Sequence, residues 1–419
     1  MKTATRAPIF LYFSVYLLSA ADQIYALPNV GEIGGGFLNI AKRLLLSSSS
    51  GIDDPGPEFL IRRDDNSTNS TWNFSSGASA KDDTGVWILD TEYSGSSFFD
   101  DWTFYTGEDP THGLVQYVDR DTAFSEGLAF VDSNNTVHMK GDNTSWVDIG
   151  SNRKSVRISS NKYWTHGLFV LDVNRIPWGC ATWPAYWTLG ATATWPAGGE
   201  VDIIEGVHDN IHNQVAWHTE SGCSLTNDTA NFTGTVVGQT DCDGNINNNA
   251  GCAITDWSRV SYGESFDAQG GGVYVMMWDD TGIYVWYYYR VSIPQDITDG
   301  DPRPSTWTTP SAALSPKGCD IDSFFFNHSV IFDITFCGDW AGNSYATTPN
   351  CPGTCEERLQ YPANFTNATW SINYLKVYQK QDLHASVTGD ALSSLPLPSA
   401  TMIIASFTSL LAFWLSQTI

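Results

Sequence analysis

Three acidic side chains lie within six residues in the segment GGEVDIIEGVHD, residues 198 to 209. Along a regular β-strand the side chains alternate between faces, so Glu200 and Asp202 would point one way and Glu205 the other. A β-bulge at Ile203–Ile204 would set two residues opposite one residue of the neighbouring strand and reset the alternation. The pattern therefore predicts three carboxyl groups on one open face, with Asp202 between the two glutamates.

A row of acids favours an uneven distribution of protons, because like charges in proximity raise one another's pKa. Glycoside hydrolysis uses such a pair: one carboxylate attacks the anomeric carbon, and a second, protonated carboxyl group donates to the leaving oxygen. An aspartate between them can hydrogen-bond the nucleophile. The alternative interpretation is an edge strand with solvated acids, which the apolar pair and the Trp-rich neighbouring strands disfavour.

Short alternating segments separated by Gly, Asn, Asp and Pro fill the chain from about residue 86 to residue 379. In KSVRISS, Val156 and Ile158 share one face, and GVYVMMWDDTGIYVWYYYRV predicts a hairpin that turns at DDTG. Further strands are predicted at LFVLDV, QVAWHT, SVIFDITF and WSINYLKVYQ. Sustained helical periodicity and a βαβ rhythm are both missing, so the pattern predicts one large all-β antiparallel sandwich or barrel.

The acidic segment resembles the active-site signature of family 16 glycoside hydrolases in its bulged form. The similarity to the fungal secreted laminarinase branch continues, in the same order, through SGSSFFDDWTFYTGEDPTHGLVQYVD, RKSVRISS, WPAYWTLG, VAWHTESGC and FCGDWAGN, and covers about residues 81 to 380. It implies a curved antiparallel β-sandwich (jelly roll) with a concave substrate cleft, and a retaining endo-β-glucanase acting on β-1,3 or mixed β-1,3/1,4 linkages. It assigns Glu200 as nucleophile, Glu205 as acid/base and Asp202 as the assisting residue, with the two catalytic carboxyl groups about 5–5.5 Å apart.

Five further side chains are candidates for sugar contact: Trp187, Trp195, His218, Arg157 and Trp340. The first two flank the approach to the acidic segment, and sugar rings stack on aromatic faces. His218, Arg157 and Trp340 match family positions near the bound sugar. Each has a structural alternative: a core tryptophan, a structural histidine, a surface arginine, or a tryptophan packed beneath a disulfide loop.

The charge balance argues against a nucleic-acid partner. The chain has only 21 Lys and Arg but 46 Asp and Glu, and phosphate binding needs clustered positive charge. This balance suits a neutral polysaccharide, the β-glucan that the resemblance implies as substrate. We expect no cofactor and no catalytic metal, since metalloprotease, phosphate-loop, serine-hydrolase and dinucleotide motifs are absent from the sequence. The fragment DCDGN leaves a structural calcium open, and we expect a monomer.

All eight cysteines lie between Cys180 and Cys355. In an oxidising compartment an even number predicts disulfides, and eight cysteines allow 105 pairings. A zinc site is the alternative, but it needs two close Cys/His pairs and CPGTC supplies one.

The two ends of the chain predict secretion and anchoring. Residues 1–26 combine a basic start, an apolar core and small residues at the cleavage positions, as in a signal peptide. Residues 27–80 form a low-complexity linker or pro-segment, and residues 81–380 form the catalytic domain. Residues 381–399 form a Ser/Pro spacer with a GPI attachment site before the hydrophobic tail at 400–419. A single-pass helix is the alternative, disfavoured because no Lys or Arg follows the tail.

Ten sequons indicate a glycoprotein, which we expect at the cell surface or cell wall. They begin at Asn66, Asn69, Asn73, Asn134, Asn143, Asn227, Asn231, Asn327, Asn364 and Asn367.

Three other functions remain open from the sequence. A cell-wall glucan transglycosylase would use the same chemistry with a sugar hydroxyl in place of water. A non-catalytic β-glucan-binding protein is disfavoured because both glutamates are present. Another polysaccharide, such as a galactan, would require only different cleft loops.

Overall fold

The computed structural model describes residues 85–226 and 231–382. The predicted signal peptide, the linker, the hydrophobic tail and the spacer from residue 383 onward lie outside these residues, as do the sequons at Asn66, Asn69, Asn73 and Asn227. No helix in the described ranges has the length and apolar character needed to cross a membrane.

Eighteen strands account for most of the regular structure in the described part of the chain. In chain order they are β1 (Gly85–Ser94), β2 (Trp102–Phe104), β3 (Val115–Tyr117), β4 (Ala129–Val131), β5 (Val137–Lys140), β6 (Arg153–Ser155), β7 (Arg157–Ser160), β8 (Gly167–Arg175), β9 (Thr182–Gly190), β10 (Glu200–Glu205), β11 (Gln214–His218), β12 (Thr235–Val237), β13 (Cys252–Thr255), β14 (Gly272–Asp279), β15 (Gly282–Tyr289), β16 (Ala312–Leu314), β17 (His328–Phe336) and β18 (Thr369–Asp382).

The α-helices of the same residues are short and lie in the connections between strands. They are α1 (Arg120–Ser125), α2 (Gly263–Ala268), α3 (Gln295–Asp299), α4 (Ile321–Phe324), α5 (Gly338–Ser344) and α6 (Cys355–Leu359).

The strands form two large antiparallel sheets that face each other. The front sheet has the order β12-β13-β11-β10-β9-β17-β7-β2, and the back sheet has the order β16-β15-β14-β8-β18-β5-β4, with β1 also paired to β18. A separate parallel pair joins β3 and β6. This arrangement confirms the predicted all-β antiparallel sandwich, and it is open rather than a closed barrel.

Alternation along the strands divides the front sheet into an apolar inner face and a polar outer face. Val201, Val215 and Trp217 point into the core and are at most 1% exposed, and the back sheet contributes Tyr274 and Met276 to the same cluster. Burying a large apolar side chain contributes roughly 1.5–3 kcal/mol. The residues between them on β10 and β11 consequently face outward, where the acids lie.

Two local predictions have different outcomes. The hairpin is confirmed, because β14 and β15 pair continuously up to Asp279 opposite Gly282, around the DDTG turn. The alternating segment KSVRISS is partly as predicted: Val156 and Ile158 both pack in the core. The segment forms two strands rather than one, since β6 pairs with β3 and β7 pairs with β17, with Val156 between them. Ser155, at the end of β6, is fully buried, and its hydroxyl donates to the carbonyl of Ile334 at 2.7 Å.

The eight cysteines form four disulfides, which confirms the prediction of disulfides over zinc. The pairs are Cys180–Cys351, Cys223–Cys319, Cys242–Cys252 and Cys337–Cys355. Three of the pairs include a cysteine in or next to a strand of the front sheet: Cys180 precedes β9, Cys252 begins β13 and Cys337 follows β17.

Candidate active site

The strand β10 contains the bulge that the acidic segment predicts. Toward β11, Asp202 pairs with Ala216 and Glu205 with Gln214, so two residues, Ile203–Ile204, stand opposite one. Toward β9, the register also shifts between Asp202 and Ile204. Both isoleucines are fully buried in the core, and Glu205 returns to the outer face.

Cross-strand pairing defines what surrounds each acid, because residues directly opposite on neighbouring strands point to the same face. Glu200 lies opposite His218, and Asp202 lies opposite Trp187. Glu205 lies opposite Ala185, a small residue that leaves space above the sheet. The three acids, His218 and Trp187 therefore share the outer face of the front sheet.

Asn213 holds the bulge in place. Its side-chain oxygen accepts the backbone N–H of Glu205 at 3.0 Å, and its amide nitrogen donates to the carbonyl of Ile203 at 2.9 Å. Its own backbone N–H donates to the hydroxyl of Ser261 at 2.9 Å. These bonds satisfy the backbone groups that the bulge leaves without strand partners, so Asn213 positions Glu205.

Glu200 has neighbouring groups that stabilise its ionised form. The indole N–H of Trp195 donates to its carboxylate at 2.9 Å, and Nε2 of His218 lies 3.9 Å from it. Burial and the charge of Asp202 raise the pKa of Glu200 to about 7, against the opposing effects of His218, Trp195 and Arg157. A carboxyl group that ionises near neutral pH can serve as a nucleophile.

Glu205 lies in a setting that favours the protonated form. Burial and the charge of Asp202 raise its pKa well above the usual range, and the N–H of Trp183, which donates to Glu205 at 2.7 Å, opposes that rise. Trp183 is braced by Trp340, whose ring meets it edge-on with centroids 5.9 Å apart. A carboxyl group whose protonated form is favoured in this way can act as a general acid.

His218 links the first two acids. Its Nε2 lies 3.2 Å from Oδ2 of Asp202. Burial alone would lower the pKa of His218, but the bond to Asp202 and the charge of Glu200 raise it to about 9. At neutral pH His218 is therefore a cation that offsets the negative charge of the acidic row.

Arg157 and Trp187 form a stacked group beside the acids. The guanidinium of Arg157 lies 5.0 Å from the ring centre of Trp187 and 4.8 Å from that of Tyr105. The indole N–H of Trp187 donates to Asp333 at 2.9 Å, and burial raises the pKa of Asp333 to about 7. Because Trp187 is only 9% exposed, it forms the floor of the face, while Trp195, at 37%, projects from its rim.

The structure brings the predicted residues together to different degrees. Glu200, Asp202, Glu205, Trp195 and His218 are in direct contact or share neighbouring positions on the face. The other three predicted residues border that group: Trp187 and Arg157 lie in the adjoining stack, and Trp340 reaches Glu205 only through Trp183.

Four residues of the site are not among the candidates predicted from the sequence: Trp183, Asn213, Tyr105 and Asp333. For two of them the sequence contains a pattern that indicates their position. Trp183 lies four residues before Trp187 on one strand and so shares its face, and Asp333 is a lone acid in an apolar strand. Asn213 and Tyr105 have no such pattern, because their contacts depend on loops returning to the sheet.

One ligand atom from each of Glu200, Asp202 and His218 lies within 4.8 Å of the others. Oxygen and imidazole donors at this spacing could hold a divalent cation. The ion pair between His218 and Asp202, with Nε2 and Oδ2 3.2 Å apart, accounts for the same closeness.

The chain is similar to a known enzyme family and to fungal proteins over most of its length. A family profile described as an XgeA-like, catalytic GH16 domain matches residues 102–378. A probable glycosidase of Schizosaccharomyces pombe is 45% identical over 297 residues, which are 70% of each chain. An endo-1,3(4)-beta-glucanase of Arthroderma benhamiae is 38% identical over 313 residues, 73% of this chain and 67% of the relative.

Solved structures are also similar to this chain in sequence and fold. Laminarinase 16A from Phanerochaete chrysosporium, solved with beta-glucans in donor and acceptor sites, is 38% identical with a TM-score of 0.67. An elongating GH family 16 beta-1,3-glucosyltransferase is 39% identical with a TM-score of 0.66. Each comparison covers 70% of this chain and all of the solved chain.

Proposed function

The chain belongs to glycoside hydrolase family 16 and is a glycoside hydrolase, and from this premise we propose that it is a retaining endo-β-glucanase acting on β-1,3 or mixed β-1,3/1,4 linkages. The observation that carries the proposal is the bulged acidic row, in which Glu200 and Glu205 lie on one face with Asp202 between them. The relative from Arthroderma benhamiae, named an endo-1,3(4)-beta-glucanase, supports the substrate class.

In the first step, the ionised carboxylate of Glu200 attacks the anomeric carbon of the bound glucan. The bond from that carbon to the leaving oxygen breaks, and the oxygen takes the proton of Glu205. The products of this step are an ester between the sugar and Glu200, a free chain end, and an ionised Glu205. The N–H of Trp195 and the cation of His218 stabilise the ionised carboxylate of Glu200 before attack.

In the second step, ionised Glu205 removes a proton from water as the water oxygen attacks the same carbon. The ester bond breaks, Glu200 leaves as a carboxylate, and Glu205 is again protonated. Two inversions at one carbon give net retention. The mechanism requires carboxyl groups about 5–5.5 Å apart, and the bulge supports this because it returns Glu205 to the face of Glu200.

The test compares the wild type with Glu200→Gln and Glu205→Gln for the release of reducing ends from laminarin and from barley mixed-linkage glucan. Each glutamine keeps the side-chain shape, so we expect activity to fall by at least about 10³-fold in both variants with glucan binding retained. The ratio of the two wild-type rates identifies the preferred linkage. Glucan binding without cleavage by the wild type would contradict the hydrolase and indicate a lectin.

A transglycosylase is the second candidate, and the similarity to the elongating beta-1,3-glucosyltransferase favours it. The chemistry differs only in the second step, where a sugar hydroxyl replaces water. Incubation with laminari-oligosaccharides separates the two, because products longer than the substrate form only by transfer. Shorter products alone would support hydrolysis.

We also propose that the protein is secreted as a monomer and held at the cell surface by a GPI anchor. The four disulfides support an oxidising compartment, and the residue pattern at 381–419 supports the anchor. Treating intact cells with a phosphatidylinositol-specific phospholipase C tests the anchor. Protein that stays with the cells after treatment would contradict it.

A further inference from the structure

A second concave surface lies on the outer face of the back sheet. This back-sheet groove has a volume of about 510 Å³, and its lining includes Trp87, Tyr284, Trp286, Trp307, Asp279 and Asn231. It runs between the β14–β15 turn and residues 304–310. Trp87 and Trp286 belong to an apolar cluster separate from the core between the sheets, so the groove is built on the opposite face of the back sheet.

The aromatic side chains of the groove are held rigidly. The N–H of Trp307 donates to Asp296 at 2.8 Å, and its ring meets Trp286 edge-on with centroids 5.4 Å apart. Trp286 in turn donates to the carbonyl of Thr308 at 2.7 Å. Trp307 is half-buried at the groove surface. A fixed indole of this kind suits stacking against the C–H face of a sugar ring.

Polar groups border the aromatic part of the groove. The ammonium of Lys380 lies 3.4 Å from Asp279 and 5.9 Å from the ring centre of Trp87. The side chains of Ser305 and Thr309 are exposed at the rim. The groove therefore combines an aromatic surface with hydroxyl and charged groups able to hydrogen-bond a neutral carbohydrate.

A glycan acceptor lies on the same rim. Asn231 is exposed, lines the groove, and begins the sequon Asn-Phe-Thr. Phe232 is 6% exposed and anchors the sequon, and the backbone N–H of Thr233 donates to the carbonyl of Pro310 at 2.9 Å. The sequon is thus fixed against the segment that carries Trp307.

The side chain of Asn231 has no hydrogen bond to the residues that the structure describes. Among the other described sequons, the amide nitrogen that a glycan would join already donates in two: Asn327 donates to the hydroxyl of Thr192 and Asn364 to the carbonyl of Arg358. In Asn143 and Asn367 the amide oxygen is engaged instead, accepting from Lys140 and Arg175. Asn134 is also free of side-chain bonds but does not line this groove.

We propose that Asn231 carries an N-linked glycan whose first sugars lie in the back-sheet groove against Trp307. The linkage joins Nδ2 of Asn231 to the anomeric carbon of an oligosaccharide from a lipid-diphosphate donor; Nδ2 loses one proton and the lipid diphosphate leaves. Tethering gives the sugars a high effective concentration at the groove, which favours this occupant over a free polysaccharide. The inference goes beyond the proposed function and requires passage through the secretory pathway.

The test uses the full chain expressed in a secretory eukaryotic host. Glycopeptide mass spectrometry determines whether Asn231 is occupied, and hydrogen–deuterium exchange follows residues 304–310. We expect an occupied Asn231 and exchange in that segment roughly tenfold faster in Asn231→Gln, with no change in the matched control Asn134→Gln. An unoccupied Asn231, or equal exchange in wild type and Asn231→Gln, would overturn the proposal.

A second arm separates the tethered glycan from free glucan. Laminarin is added to glycosylated Glu200→Gln, which blocks hydrolysis, and exchange in residues 304–310 is measured again. We expect no added protection there, because the glycan fills the groove. Protection by laminarin would overturn the proposal. Neither arm depends on hydrolysis, so a failure of the proposed enzyme activity would not be mistaken for a failure of this inference.

Discussion

The carboxyl group of Glu200 accepts the indole N–H of Trp195 at 2.9 Å and has the cation of His218 nearby, whereas Glu205 accepts the N–H of Trp183 at 2.7 Å. Both pKa values are raised by burial and by Asp202. At the residue scale, the donors around Glu200, the proposed nucleophile, therefore influence how much of this side chain is ionised at a given pH.

Trp195→Phe removes the N–H donor to Glu200 and keeps most of the aromatic surface. Losing a hydrogen bond to a carboxylate disfavours the ionised form, so the pKa of Glu200 rises and the acid limb of the kcat/KM profile moves to higher pH. Because Trp195 is partly exposed, we expect a shift of about 0.5–1 unit. The pH profile on laminarin is the measurement.

Trp146→Phe is the matched control, since Trp146 is 56% exposed and packs against Tyr361. The control should leave the acid limb where it is. An unchanged acid limb in Trp195→Phe would show that its N–H does not stabilise ionised Glu200.

At the element scale, the site depends on one irregular strand and on the loops that fix it. The bulge in β10 returns Glu205 to the outer face, and Asn213 satisfies the backbone groups on both sides of it. On the other edge, the loop closed by Cys242–Cys252 brings Gly251 against the ring of His218. The bulge and the Gly251 loop thus determine where the side chains of Glu205 and His218 point.

Asn213→Ala removes the bonds to Glu205 N–H and Ile203 C=O. Leaving buried backbone groups unpaired costs about 1–3 kcal/mol each, and Glu205 loses its fixed position. We expect kcat to fall by about 10²-fold, with a lower free energy of unfolding. Exposed Asn210, in the same connection, supplies the control Asn210→Ala. Full activity in Asn213→Ala would show that the bulge keeps its shape without this residue.

Gly251→Ala and Gly238→Ala separate backbone strain from contact with His218. Both glycines have positive φ, +57° and +68°. A Cβ at Gly251 would lie 2.5 Å from the carbonyl oxygen of Trp217 and 2.6 Å from Nδ1 of His218, so this change carries a further steric cost, whereas a Cβ at Gly238 meets no described atom within 4 Å. Each change should cost about 1–2 kcal/mol of stability from backbone conformation. We expect only Gly251→Ala to alter the pH profile of kcat. Identical profiles for the two variants would contradict a constraint on His218.

At the scale of the whole molecule, the fold raises the pKa values of several titratable groups. Glu200 and Asp333 have pKa values of about 7, above their ordinary 4.5 and 3.8. A carboxyl group with a raised pKa contributes stability at low pH that is lost as pH rises through the folded value. The pKa of His218 is raised from 6.5 to about 9, so its contribution is present below pH 6.5 and is lost as pH rises through 9. These groups act in the same direction.

We therefore expect the free energy of unfolding to decrease between pH 5 and pH 9, and Asp333→Asn to reduce that decrease. Asparagine can still accept the N–H of Trp187 but cannot ionise. The variant should be more stable than the wild type by about 1–3 kcal/mol at pH 8 and nearly equal at pH 4. Urea unfolding at the two pH values is the measurement. Exposed Asp280 supplies the control Asp280→Asn, and equal pH dependence in wild type and Asp333→Asn would refute this role.

The sequence by itself determined the features that follow from local periodicity and composition. The odd spacing of Glu205 and the adjacent isoleucines predicted the bulge, and the even cysteine count predicted disulfides. Alternation predicted six of the strands, β8, β11, β14, β15, β17 and β18. These patterns succeed because strand geometry has a period of two and one apolar face must be buried.

Only the tertiary structure decided which distant groups complete the site. Asn213, Asp333 and Tyr105 reach the acidic face through strand order and loop return, and the four disulfide pairings depend on the same topology. The break between β6 and β7 likewise follows from a change of strand partner rather than from the alternating segment itself. Contacts of this kind are set by the close packing of elements far apart along the chain, which no local spacing records.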